Sequence, residues 1–408
     1  MDVNEAIRDK QGGTMERIGY KLFSEAQIGN ITVPNRLVRS ATHEVVGWKH
    51  EINKELLHLY KDLALGGVGM IITGAMIPVV VEKGNEVLKI KQREIKNLEQ
   101  IAQIVHDQDV GCKIIAQLVH GRNLMASDFN YRTAPGKRHS VSVKEIAEIE
   151  DCFIGLISAL VDAGFDGVQL HAAHGYFLSS FLSPCMNRRT DQYGGSVENR
   201  ARIIEEIVAK AREKIGDFPI LIKMNCTDNI EGGIDLAGFV EMANEIQKVG
   251  IDAVEISGSI HDCLLRSEAE LGFRPIPYAS SHTRISLPER QSYYLQYAEK
   301  LDLKIPVILV GGNRDVERLE RIIKNGVVDF IALSRPLISE PDLPNRWLRG
   351  EGSPETDCIS CNSCCWAIDK ASGRSIGSPI MCLYKHAKGD YKKAQIWLEE
   401  WVKNNKVE

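Results

Sequence analysis

Long apolar runs are missing from this chain of 408 residues. No stretch approaches the ~18 consecutive apolar residues of a membrane-spanning helix, which argues against a transmembrane protein. A dominant charge is missing too. Lys and Arg number 50 against 55 Asp and Glu, for a formal net charge of -5. There is no basic tract and no acidic tail, so nothing supplies the electrostatic footprint of a nucleic-acid partner. Residues 1–21, "MDVNEAIRDKQGGTMERIGYK", hold no apolar core segment and do not read as a secretory signal. The expectation is a cytoplasmic protein. Internal repeats beyond a strand–helix unit and low-complexity linkers are also absent. What is present is ordinary globular composition, 44% hydrophobic and 26% charged. A chain of this length buries a large core without covalent staples.

Apolar runs alternate with helix-patterned segments. "RLVRSA" (36–41), "GMIITGA" (69–75), "CKIIAQL" (112–118), "GVQLH" (167–171), "PILIKMN" (219–225), "AVEIS" (253–257), "PVILVGG" (306–312) and "DFIALSR" (329–335) read as eight strands. Most are continuous apolar runs, as expected of strands buried on both faces. Helices are predicted over 51–65, 91–109, 197–214, 236–248, 289–300, 315–325 and 337–349, and a further one opens at the capping-box signature "SVKE" (142–145). Eight strand–helix units imply a closed (β/α)8 barrel, a TIM barrel. A doubly wound open sheet is the runner-up, but no strand opens into a GxGxxG turn. "AQIGNITV" reads as a two-residue hairpin at Gly29-Asn30 that caps the barrel floor. Long segments over 119–141, 174–196 and 258–288 follow strands, which puts them on the C-terminal face where barrel sites are built. The chain divides into a leader (1–21), a barrel (22–350) and a Cys-rich extension with a tail (351–408).

Chemistry-bearing residues gather at the strand ends. Gly311-Gly312 and Ser334-Arg335 close strands seven and eight, the usual phosphate position of a barrel. Glycines let backbone approach a phosphate, and a guanidinium forks onto two oxygens. Gln117 ends strand three, where a side-chain amide can donate and accept at once. Lys223 is a cation among apolar residues, so it needs a negative partner or a bound anion. His171 and His174 stand three apart with Tyr176 beyond. A zinc pair on a helix prefers i, i+4 spacing and needs a third ligand, which argues against metal here. Two readings remain open: imidazoles bracing a loop, or imidazoles converging on one ligand oxygen beside a weak acid.

These residues carry a resemblance. "HAAHGYFLSSFLSPCMNRRTDQYGGSVENR" (171–200), with "NRLVRSATHE" (35–44), "AQLVHGR" (116–122) and "SRPLISEPDLP" (334–344), resembles the old yellow enzyme family of FMN-dependent ene reductases over about residues 22–350. The resemblance implies FMN at the barrel mouth and NAD(P)H as electron donor. Ser40, Ala41, Thr42 and His43 would lie along the isoalloxazine with Ala75 nearby. Gln117 would pair with the pyrimidine edge, and Lys223 would sit near N1 and O2. Gly311, Gly312, Ser334 and Arg335 would hold the phosphate. His171 and His174 would bind a substrate carbonyl oxygen, and Tyr176 would give the proton. Many relatives have arginine where Lys223 stands; lysine keeps the charge and loses the fork. His43 replaces the usual Cys or Thr. "QLVHGR" is shorter than the family's form, so no role passes to His120 or Arg122. Within "TDQYGGSVENR", Gly194-Gly195 make a turn and Ser196 is an N-cap candidate.

Ten cysteines need placing. Five are scattered, and Cys358, Cys361, Cys364, Cys365 and Cys382 fall together. A local cluster suits an iron–sulfur centre or structural zinc. It is similar to the 4Fe-4S motif of the 2,4-dienoyl-CoA reductase and trimethylamine dehydrogenase branch, which implies Cys358, Cys361, Cys365 and Cys382 as ligands, with Cys364 the alternative to Cys365. Unligated thiols are the plain alternative. The expected activity is reduction of an activated C=C bond in an enone or enoyl substrate. The alternatives are the catalytic subunit of a larger dienoyl-CoA-reductase-like or amine-dehydrogenase-like complex with an electron-transfer partner, a non-catalytic flavin protein, and a metal-dependent barrel hydrolase. A homo-oligomer is compatible with each.

Overall fold

The computed structural model describes residues 17–42, 54–76, 92–120, 124–127, 139–273, 281–283, 285, 287–362, 364, 381–390, 392–393 and 396. A hairpin comes first, β1 (Ala26–Ile28) and β2 (Ile31–Val33), paired antiparallel through Ile28 and Ile31 around the Gly29-Asn30 turn. Gly29 holds a φ of 53°, the left-handed conformation such a turn requires. Then β3 (Leu37–Arg39), β4 (Met70–Ile72) and β5 (Lys113–Leu118) follow. A short parallel pair, β6 (Leu124–Met125) and β7 (His139–Ser140), decorates the loop after β5. The remaining strands are β8 (Gly167–Ala172), β9 (Ile220–Asn225), β10 (Ala253–Ser257), β11 (Val307–Leu309) and β12 (Phe330–Leu333). Strands β3, β4, β5, β8, β9, β10, β11 and β12 form a closed ring in that order, and every neighbouring pair is parallel. The barrel expectation holds.

The strands read as unbroken apolar runs because both faces are buried. One set of alternating side chains, including Leu37, Ile71, Ile114, Val168 and Ile222, packs with the helices. The other set, including Val38, Met70, Ile72, Ile115, Leu221, Ala253, Ile308 and Phe330, packs with Ile28 and Val33 of the hairpin. The hairpin therefore floors the barrel, as its sequence implies. The Asp252 side chain, just ahead of β10, lies against Gly29.

The outer layer is built from α1 (Lys54–Leu65), α2 (Gln92–His106), α3 (Val143–Asp162), α4 (Phe177–Leu182), α5 (Val197–Ile215), α6 (Leu236–Lys248), α7 (Glu268–Leu271), α8 (Leu295–Ala298), α9 (Val316–Lys324), α10 (Arg335–Ser339) and α11 (Leu343–Leu348). The capping box at α3 is formed: Ser142 Oγ accepts from the Glu145 N–H, and Glu145 accepts from the Ser142 N–H at 2.8 Å. Ser196 caps α5 by accepting from the Asn199 N–H.

Two expected helices differ. The segment 289–300 holds only a 3-10 turn, Pro288–Arg290, and α8. Ser292 adopts a φ of 49°, and the N–H groups of Ser292 and Tyr293 go to the carbonyls of Gly312 and Gly311. Those donors are spent on the end of β11 and cannot extend a helix. The expected helix 337–349 is two, α10 and α11. Glu340 precedes Pro341 and is held at φ -141°, ψ 85°, since a following proline disfavours the helical region.

Candidate active site

Toward the C-terminal end the barrel lumen turns polar. Gln117, Gln169, Lys223, Glu255 and Ser40 are all buried there. They form one chain of contacts. Gln117 Nε2 donates to Gln169 Oε1 at 2.7 Å, and Gln169 Nε2 donates to Glu255 Oε2 at 2.7 Å. Ser40 Oγ donates to Glu255 Oε1 at 2.6 Å. Lys223 Nζ lies 2.9 Å from the same carboxylate oxygen and 3.0 Å from Ser40 Oγ. The negative partner that a buried Lys223 demands is therefore Glu255, its register neighbour across β9 and β10. Sequence reasoning picked out Gln117 and Lys223 and missed Gln169 and Glu255. The signal was the same for all four: a polar residue interrupting an apolar strand.

His171 sits within β8 and His174 in the turn after it. Their ring centroids are 5.1 Å apart, edge to face, and Tyr176 lies 4.9 Å from His171. His174 has a φ of 61°, uncommon for a residue with a side chain. Its backbone N–H donates to Asn225 Oδ1 at 3.1 Å, and Asn225 donates in turn to the buried Asp228 at 2.9 Å. Its Nε2 meets Ser257 Oγ at 2.7 Å. Burial first, then the Lys223 charge, pushes the His174 pKa down to about 3. Burial, His174 and Lys223, in that order, hold His171 well below the usual histidine range. Both imidazoles are neutral at pH 7. His171 Nδ1 accepts from the Ala173 N–H at 3.3 Å, so the ring proton is on Nε2.

The mouth is a cleft of about 660 Å³, its open side included, within the ~300–1,000 Å³ of small-molecule and cofactor sites. Ser40, Ala41, His174 and Lys223 line one part, and Gly311, Gly312, Ser334 and Arg335 another. Gln117 and His171 join through the contacts above. Ala75 and Thr42 are half-buried; Thr42 Oγ1 accepts from the buried Arg39 at 2.6 Å. His43 lies outside the described residues. Gly311 and Gly312 have φ of 106° and 75°, and a Cβ on either would come within 2.8 Å of Tyr293. The glycines thus accommodate a tyrosine at the rim as well as an open cleft. Among the described residues nothing accepts from the N–H groups of Gly312 and Asn313. Those donors, with Arg335 at the start of α10, suit a phosphate. Arg335 itself donates to the His282 carbonyl at 2.8 Å and to Asn362 Oδ1. The polar chain at Lys223 suits the edge of a flavin ring, and the donor set as a whole fits FMN.

The Cys-rich segment packs beside this rim. The buried Arg314 donates to the Cys358 carbonyl and, at 3.0 Å, to Ser360 Oγ. Cys358 is buried, which raises its thiol pKa, while Cys361, Cys364 and Cys382 are half-buried. Cys365 lies outside the described residues. Among the described residues no three His, Cys, Asp or Glu side chains are grouped to hold a metal ion. No helix among them is long and apolar enough to cross a membrane.

A closed parallel barrel with a polar cleft at the C-terminal ends of its strands places the chain among (β/α)8 barrel proteins. Residues 21–351 match the NADH:flavin oxidoreductase / NADH oxidase family, and the chain belongs to it. The chain is 30% identical to an NADH oxidase of Thermoanaerobacter brockii over 84% of its own length and 53% of that protein. It is 29% identical to a cinnamate reductase of Clostridium sporogenes over 85% of this chain and 55% of that one. The chain thus spans about half the length of these two curated relatives. An old yellow enzyme homologue from Zymomonas mobilis superposes with a TM-score of 0.64 at 22% identity, covering 82% of this chain and 94% of that one.

Proposed function

We propose that the chain reduces a C=C bond conjugated to a carbonyl, with NAD(P)H as the electron source. The observation that carries this reading is the convergence of two neutral imidazoles and a tyrosine at one strand end, beside the Lys223 cation. Bound FMN supplies the hydride for the β-carbon of the substrate. Ser40, Gln117 and Lys223 would hold its pyrimidine edge, and Gly311, Gly312, Ser334 and Arg335 its phosphate. Neutral His171, with its proton on Nε2, donates to the substrate carbonyl oxygen, and His174 lies edge-on beside it. Hydrogen bonds there stabilise the enolate charge that develops as the β-carbon is reduced. Tyr176 then delivers a proton to the α-carbon. The uncharged imidazoles polarise the carbonyl without competing for that proton.

Tyr176→Phe tests the assignment. Substrate reduction should fall by about 10²–10⁴-fold, the usual worth of a positioned general acid, while flavin reduction by NAD(P)H keeps its rate. Unchanged rates in both half-reactions would show that the proton comes from elsewhere.

A second reading, a catalytic subunit that passes electrons through an iron–sulfur cluster to a partner, draws on one observation. Arg314 fixes the Cys358 peptide beside the flavin rim. Iron and acid-labile sulfide in anaerobically purified protein would support it, and a spectrum of flavin alone would sink it.

A further inference from the structure

We propose that Glu255 is a positioning residue that compensates the Lys223 charge and sets the orientation of the Gln117 amide. The inference rests on the reading above, in which the flavin pyrimidine edge lies against Ser40, Gln117 and Lys223. Glu255 is fully buried, and both carboxylate oxygens are engaged: Oε1 by Ser40 and Lys223, Oε2 by Gln169.

Two consequences follow from chemistry alone. First, Lys223 and Glu255 are a neutral pair. A flavin edge placed there meets a cation whose field is largely cancelled at 2.9 Å. Second, an ionised carboxylate only accepts. Gln169 must therefore turn its Nε2 toward Glu255 and its Oε1 toward Gln117. Gln117 must in turn spend an N–H on Gln169, which leaves its Oε1 and its second N–H for a ligand. The amide that would read the N3–H and a carbonyl of the ring is thus oriented by a carboxylate two side chains away. The same chain means that loss of the carboxylate both unmasks the lysine and lets the amides flip.

The test reads charge at the ring rather than turnover. Sulfite adds to flavin N5: a sulfur–nitrogen bond forms, and the electron pair moves into the N1–C2=O region. Adduct affinity therefore reports the net charge beside that edge. Sulfite titrations of FMN-loaded wild type, Glu255→Gln, Lys223→Met and the double variant should rank by local charge. Glu255→Gln should bind sulfite at least about tenfold more tightly than wild type, from one uncompensated charge at contact range. Lys223→Met should bind it at least about tenfold more weakly, and the double variant should return to within a few-fold of wild type. If Glu255→Gln alone does not fold, the comparison of Lys223→Met with the double variant still decides. Equal sulfite affinities in those two would overturn the role of Glu255. A Lys223→Met protein that binds FMN and sulfite like wild type would instead overturn the placement of the flavin.

Discussion

Three buried histidines and the half-buried His174 share one electrostatic condition. Burial lowers His120 to about 4, His174 and His282 to about 3, and His171 well below the ordinary value. His282 is stacked between Phe273 and Tyr293, with ring centroids 3.5 and 3.8 Å away. In the unfolded chain each would protonate near 6.5, so between that value and about 4 the unfolded state binds more protons. The histidines' share of folding stability is therefore full above pH 6.5 and falls as the pH drops. The slope is about 1.4 kcal/mol per pH unit for each histidine. Urea unfolding at pH 7.5, 6 and 5 should show this decline, and a flat profile would contradict the burial. At this scale the sequence was partly legible. A polar residue inside an apolar strand pointed to Gln117 and Lys223, and the same mark stood at Gln169 and Glu255. The left-handed backbone of His174 was not legible, because it is imposed by Asn225 on the next strand.

Helices α3 and α5 meet across an ionisable seam. Burial first, then Glu206, raises the Glu150 carboxyl to about 7, while Lys210 Nζ sits 2.9 Å away. A raised carboxyl keeps its proton in the folded state after the unfolded chain has lost it. Its stabilising share is present below about pH 4.5 and is lost as the pH rises through 7. Glu150→Gln should then be more stable than wild type at pH 7.5, by on the order of 1 kcal/mol, with the advantage vanishing toward pH 4.5. Thermal melts across that range check it; an advantage independent of pH would point to another cause. Periodicity and capping signals located α3 and α5 well, since both are decided by local sequence. They failed over 289–300, where tertiary hydrogen bonds to Gly311 and Gly312 took the helix's donors. They failed again at Glu340, although Pro341 was in plain sight.

Over the whole molecule, Arg314 is one of several groups that tie the Cys-rich segment to the barrel, beside Arg335, Arg346 and Glu340. Arg314→Met removes its bonds to Cys358 and Ser360 and should speed amide exchange around residues 358–360, with the barrel strands still protected. Uniform exchange in both proteins would show the segment is held by other means. The barrel itself was readable because eight repeats of one pattern admit few closures. The rim was not, since Tyr293 reaches Gly311 and Gly312 from the segment before β11. The floor has a consequence for kinetics. Ile28 and Val33 fill the lower lumen, so among the described residues the open cleft lies at the opposite end, and that mouth is the doorway. On the proposed chemistry, electron donor and electron acceptor must use that doorway in turn, each departing before the other arrives. Double-reciprocal plots of rate against one at several fixed levels of the other should be parallel lines. Lines that cross to the left of the axis would show that donor and acceptor are held at once.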